Sequence, residues 1–251
     1  MNYTADYFKN NMPEWKRKKD PILTRLFYRP VSFWCAAFAA NKNISANTVS
    51  YISAIVAVIA SFMFLINSYP AHVLGAVLMN IWLIMDCIDG NLARGVKKQP
   101  FGEFADGISS YILVGIMSIA MGFAIYYEGG LLTPAGTPWI ILVGALASSS
   151  DSLMRLIYQK YKNTERSLAE QGIIKVEKDI RTDDNQVGSF RVRVEAELGI
   201  GGILPLAILL ASIFKVLDLV VIYCFCYYGA SFLVTTFMYV RKAILVTKRL
   251  D

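Results

Sequence analysis

The chain has 251 residues, 55 % of them hydrophobic, and a formal net charge of +6. So apolar a composition excludes an ordinary soluble domain and fits a polytopic membrane protein. The basic residues sit in clusters between apolar runs, which argues against a nucleic-acid partner and for contact with membrane lipids at an anionic cytoplasmic leaflet.

The N-terminal stretch MNYTADYFKNNMPEWKRKKD has no apolar core and does not read as a cleavable secretory signal. It mixes Tyr3, Tyr7, Phe8, Met12 and Trp15 with Lys9, Lys16, Arg17, Lys18 and Lys19, a blend suited to the headgroup region. Next comes ILTRLFYRPVSFWCAAFAA, apolar but short, carrying Arg25 and Arg29. Residues 1–41 are therefore expected to form an amphipathic interfacial arm, a short seventh span being the alternative. NISANTVS then reads as a helix start with Ser45 or Asn47 as its cap.

Six runs are long enough to cross a bilayer: 47–67, 71–94, 103–127, 138–158, 198–217 and 219–240. They predict an all-α integral membrane protein with six transmembrane helices. The whole of 1–251 is expected to be one domain, with a six-helix bundle over 47–240 and a charged loop over 159–195. In that loop RTDDNQVGS reads as a turn. Lys42, Arg94, Lys97, Lys98, the 159–195 loop, Arg241, Lys242, Lys248 and Arg249 fall on one side, whereas Lys215 is the only basic residue of the opposite connections. By the positive-inside rule both termini and the stretch around Asp86 face the cytoplasm. Cys35, Cys87, Cys224 and Cys226 have no metal-ligand spacing and are expected to be small buried hydrophobes, and the single His72 offers no zinc site.

The stretch MDCIDGNLARGVKKQPFGEFADGISS, residues 85–110, places charge between two apolar runs. On one helix Asp86, Asp89, Gly90, Ala93 and Arg94 share a side, and on the next Gly102, Asp106 and Ser110 follow at four-residue spacing. Three carboxylates at a membrane edge repel one another unless a cation neutralises them, and carboxylate oxygens suit a hard divalent ion such as Mg²⁺. That ion would attract a diphosphate, Arg94 can contact phosphate, and Gly90 and Ala93 leave room for a nucleotide. The plainer alternative is a set of helix-end charges paired with Lys97 and Lys98.

This spacing resembles the signature of the CDP-alcohol phosphotransferase family, D-x-x-D-G-x-x-A-R, a short linker, then G-x-x-x-D-x-x-x-D. Asp86, Asp89, Gly90, Ala93, Arg94, Gly102 and Asp106 match it. The remainder of the chain resembles the family more loosely. The resemblance implies transfer of a phospho-alcohol group from a CDP-linked donor to a hydroxyl acceptor, with release of CMP, in phospholipid or glycolipid synthesis. It implies Mg²⁺ or Mn²⁺ on Asp86, Asp89 and Asp106, the donor against Gly90, Ala93, Arg94 and Gly102, and a homodimer. The donor could be CDP-diacylglycerol or a soluble CDP-alcohol.

Ser110 stands where the signature has its last Asp, the family's metal ligand and general base. A serine cannot act as a base at neutral pH. Glu103 lies about 10 Å away along the helix axis and is no direct substitute. Two outcomes are open: an enzyme with a rearranged site in which Asp106 and Ser110 are the catalytic positions, or a catalytically impaired nucleotide-binding partner subunit. In the fourth run Asp151 is an intramembrane acid and Arg155 lies one turn on, a candidate acceptor pair whose alternative is a local ion pair. A transporter is a third class, but it predicts polar residues spread through the bilayer depth, whereas here they gather at one side.

Overall fold

The computed structural model describes residues 2–175 and 196–248, and every regular element among them is helical. Two short helices, α1 (Ala5–Asn10) and α2 (Glu14–Lys19), precede a π-helical turn over Thr24–Tyr28 that runs into α3 (Arg29–Asn41). Then come α4 (Ala46–Leu65), α5 (Tyr69–Gly95), α6 (Gly102–Glu128), α7 (Trp139–Glu170), α8 (Leu204–Ile213) and α9 (Leu217–Thr247). Of these, α4, α5, α6, α7 and α9 are long and apolar enough to cross a membrane. Ile55, Ile59 and Phe62 of α4 and Leu233, Phe237 and Ile244 of α9 are exposed, an apolar surface that lipid would cover.

Among the described residues, five helices rather than six therefore meet the length of a span. The expected fifth run, 198–217, yields the ten-residue α8, about 15 Å of rise against about 30 Å of hydrocarbon. Its first part turns instead of coiling because Gly199, Gly201 and Gly202 favour turns and because other segments hold it. The Thr24 hydroxyl donates to the Gly201 carbonyl at 2.5 Å, and the Asn80 amide donates to the Pro205 carbonyl at 2.9 Å. Residues 159–170 of the expected 159–195 loop are helical, since α7 continues to Glu170. Residues 160–170 are rich in helix formers, and Glu165 pairs with Lys162 at 2.8 Å and with Lys242 of α9 at 3.6 Å. The RTDDNQVGS turn lies outside the described residues.

The described residues fall into two compact units, those within Met1–Leu113 and Asp179–Val216 and those within Val114–Lys178 and Leu217–Asp251. In the first unit, small residues let α4 and α5 approach closely. A Cβ added at Gly75 would sit 2.8 Å from the Ala60 carbonyl oxygen, and Ala57 and Ala60 are fully buried. Ser45 is the N-cap of α4, its hydroxyl accepting the Thr48 N–H at 3.1 Å. The N-terminal arm is packed rather than loose. Phe8, Met12, Phe33, Ala36 and Ala40 form an apolar cluster with Ile88 and Leu92 of α5, and the Tyr7 hydroxyl donates to the Gly95 carbonyl at 2.7 Å. Arg29, in the segment expected at the interface, is 5 % exposed. Cys226 is exposed and Cys35 only partly covered, so the four cysteines are not uniformly buried.

In the second unit, α7 and α9 pack together and Asp218, at the start of α9, is fully buried. Its carboxylate accepts the backbone N–H groups of Leu131, Leu132 and Thr133 at 3.1, 2.6 and 3.1 Å. A side chain at position 130 is excluded, because a Cβ on Gly130 would collide with that carboxylate. One acid thus holds the turn between α6 and α7. Asp218→Ala strands three backbone donors, two part-buried and one buried, and is expected to destabilise the protein by about 2–4 kcal/mol, at roughly 1 kcal/mol or more per lost partner. Thermal unfolding in detergent checks this, with Asp218→Asn, which keeps the shape and one acceptor oxygen, falling between Ala and wild type.

Candidate functional site

Asp86 and Asp89 leave α5 one turn apart near its C-terminal end, and Asp106 comes from the second turn of α6. One carboxylate oxygen from each of the three lies within 4.8 Å of the others, with Asp89 buried, Asp86 half-buried and Asp106 exposed. Oxygens so arranged are able to hold a divalent metal ion. At this range two carboxylates repel by roughly 4 kcal/mol at an effective dielectric of 20. The surrounding helices hold the cluster together against that repulsion.

Three contacts hold them. The Ser50 hydroxyl of α4 donates to Asp89 Oδ2 at 2.6 Å, a charge-assisted bond that satisfies one oxygen of the buried acid. Ser109, buried on α6, takes the indole N–H of Trp82 at 2.8 Å and lies 2.6 Å from the Ser53 hydroxyl. Residues three apart on a helix are neighbours, so tying Ser109 to α4 and α5 also fixes where Asp106 points. The linker between α5 and α6 is tethered to the start of α4. The Asn47 side chain donates to the Pro100 carbonyl at 2.9 Å, and its backbone N–H donates to Gln99 Oε1 at 3.4 Å. Phe101 closes the linker with φ of 58°, a left-handed conformation unusual for an aromatic residue, and α6 begins at the next residue.

Two glycines of the stretch differ in use. Over Gly90 the Arg94 guanidinium folds back, so that a Cβ would sit 2.9 Å from Nη2 and 3.0 Å from Nη1. Gly90 thus seats Arg94, in addition to any room it leaves for a ligand. Over Gly102 the nearest atom to such a Cβ is Asn47 Oδ1 at 3.6 Å, and the space is otherwise open. Ala93 packs against the apolar cluster of the N-terminal arm. Ser110 is half-buried and its hydroxyl donates to the Gly107 carbonyl at 3.1 Å. Glu103 is exposed and pairs loosely with Lys98 at 3.8 Å, a solvated contact.

Several participants were not singled out by sequence reasoning. Arg29 forms a fork with Asp20, Nε to Oδ2 at 2.8 Å and Nη2 to Oδ1 at 3.0 Å. Lys16 reaches Asp20 Oδ1 as well, at 3.0 Å. Lys16, Arg29 and Arg94 are all within electrostatic reach of Asp86. The available signal was that Arg29 sits in an apolar segment, where a charge needs a partner. Asn91, an unspecified position in the signature, contacts both Arg29 and Arg94.

The second unit holds the other candidate pair. Asp151 is 1 % exposed, and Arg155 Nε donates to its Oδ1 at 2.8 Å, the i to i+4 pair that spacing allows. Among the described residues, Asp151 Oδ2 is buried without a hydrogen-bond partner.

A family model described as CDP-alcohol phosphatidyltransferase matches residues 43–178. No curated protein matches the chain. The matched segment covers more than half of the sequence and contains α4, α5, α6 and α7 with all three clustered aspartates. The chain belongs to the CDP-alcohol phosphatidyltransferase family.

Proposed function

We propose that this protein transfers a phospho-alcohol group from a CDP-linked donor to a hydroxyl acceptor and releases CMP, at the cytoplasmic face of a membrane. The observation that carries this reading is the convergence of Asp86, Asp89 and Asp106 at the joint between α5 and α6. Those residues would hold Mg²⁺ or Mn²⁺, which supplies positive charge opposite the diphosphate. Arg94, seated over Gly90, contacts a donor phosphate, and the open space at Gly102 receives part of the nucleotide. Phospholipid or glycolipid synthesis is the setting, and a homodimer is the proposed assembly. Asp151 and Arg155 are proposed for the acceptor, Arg155 supplying the charge for an acceptor phosphate.

In the reaction the acceptor oxygen bonds to the phosphorus that carries the alcohol. The bond from that phosphorus to the bridging oxygen breaks, and CMP leaves with the bridging oxygen. The acceptor proton needs a base. Ser110 stands at the family's base position, but its hydroxyl proton is engaged by the Gly107 carbonyl. Asp106, one turn earlier on α6 and exposed, is the carboxylate proposed to take the proton. A second reading, a nucleotide-binding partner subunit, is favoured by that same Ser110 geometry. It predicts CDP binding without CMP release.

Release of radiolabelled CMP from a panel of CDP-linked donors, by purified protein with Mg²⁺ or Mn²⁺, tests the proposal and identifies the donor. Chelation with EDTA and Asp89→Asn are each expected to lower turnover by more than about 100-fold, since even outer-shell partners of a metal site are worth 10–100-fold. Asp106→Ala is expected to do the same, and Ser110→Asp to raise turnover. If Asp106→Ala and Ser110→Asp both leave CMP release unchanged, catalysis is not at this site. Gly90→Ala, which pushes the Arg94 guanidinium from its seat, is expected to raise the donor KM by about 10-fold, the worth of one charge-assisted hydrogen bond. Steady-state kinetics with kcat held near wild type would check it.

A further inference from the structure

The N-terminal arm contains a polar chain that runs to the donor side of the site. Lys16 and Arg29 share Asp20, whose side chain is 2 % exposed. Arg29 Nη1 then donates to the Cys87 carbonyl at 3.2 Å, between the two aspartates of α5, and to Asn91 Oδ1 at 3.3 Å. Arg94 Nη2 reaches that same Asn91 oxygen at 3.4 Å. Asn91 is itself oriented, because its Nδ2 donates to the Ser32 hydroxyl at 3.0 Å and that hydroxyl donates to the Arg29 carbonyl at 2.7 Å.

A buried guanidinium costs several kcal/mol to desolvate unless its donors are paired, so a plain packing role would be met more cheaply by an apolar residue. Among the described residues, the hydrogen bonds of the Arg29 guanidinium lead either to its counter-ion or to the turn of α5 that carries Asp86, Asp89 and Asn91. One amide oxygen lies between two guanidinium groups, one buried and one at the site. Turning Asn91 to suit one therefore disturbs the other.

We infer that Arg29, locked by Asp20, is a positioning residue for the donor site: it fixes Asn91 and, through that side chain, the Arg94 guanidinium above Gly90. The inference rests on the donor reading given above. Arg29 touches no substrate; its effect on the nucleotide passes through Arg94.

The test is a double-mutant cycle on full-length protein in detergent micelles. Arg29→Gln, Arg94→Gln and the double variant are titrated with CDP by calorimetry in the presence of Mn²⁺. Mn²⁺ binding without nucleotide is measured alongside by electron paramagnetic resonance. Arg94→Gln is expected to weaken CDP binding by about 10-fold and Arg29→Gln by roughly 5-fold, while the double variant stays within about twofold of Arg94→Gln because the two act as a unit. Mn²⁺ affinity should be retained in all three. Effects that multiply, an Arg29→Gln variant with wild-type CDP affinity, or loss of Mn²⁺ binding in step with CDP binding would each overturn the inference. If Arg29→Gln does not fold, Arg29→Lys keeps the charge, loses the fork and is judged by the same criteria. Wild-type protein that binds Mn²⁺ but not CDP would sink the donor reading and this inference with it, whereas CDP binding untouched by Arg29 would sink the inference alone.

Discussion

Mutual repulsion among Asp86, Asp89 and Asp106 is the constraint around which the first unit is built. Carboxylate oxygens within 4.8 Å of one another would separate if the chain let them. A rigid helix keeps Asp86 and Asp89 one turn apart, and nothing short of unwinding α5 relieves that pair. Asp106 belongs to another helix and could swing away. The Trp82–Ser109–Ser53 contacts prevent it by fixing α6 against α4 and α5 just beyond the acid. Small residues at the α4–α5 contact let the helices come close enough for Ser50 to reach Asp89. Helix packing, in this unit, is what keeps like charges together.

The N-terminal arm answers the same constraint electrostatically. Asp20 and the three site carboxylates face Lys16, Arg29 and Arg94, which leaves the ensemble with a formal net charge of about −1. On the proposed reading a single divalent cation would reverse that sign and make the patch attractive to a diphosphate. The arm is fastened at several points. Tyr7 holds the end of α5, Thr24 holds Gly201, and Tyr28 holds Asn80 at 2.5 Å. A loosely tethered arm would carry its cations away from the carboxylates.

The α4, α5 and α6 helices and the clustering of the three aspartates were legible in the sequence because each depends on spacing within one helix or across one short linker. Hydropathy places α5 and α6, and helical periodicity then puts their charged residues on one face. What escaped depends on partners distant in sequence. Arg29 reads as an interfacial charge until Asp20 and Asn91 close around it. The run 198–217 is apolar enough for a span, yet its glycine turn is set by a hydroxyl from Thr24. The extension of α7 to Glu170 owes much to Lys242, far along the chain. Ser50 is one hydroxyl among many on α4, and only its distance to Asp89 marks it.

On the proposed reading, position 110 separates binding from turnover. The direction of α6 is fixed by Ser109 and the carboxylate cluster is complete by Asp106, so neither depends on the residue at 110. A fourth carboxylate there would add another repelling charge to a cluster already held together by packing. A serine removes that repulsion and caps its own hydroxyl on the Gly107 carbonyl. On the proposed reading, the chain thereby keeps a lower-cost metal and nucleotide site while giving up the group best suited to take the acceptor proton. Residues that strain a fold are commonly those that speed its chemistry, and relaxing one trades rate for stability. On that reading the physical question at this site is one of rate, with donor binding proposed for α5 and the arm and proton transfer proposed for Asp106.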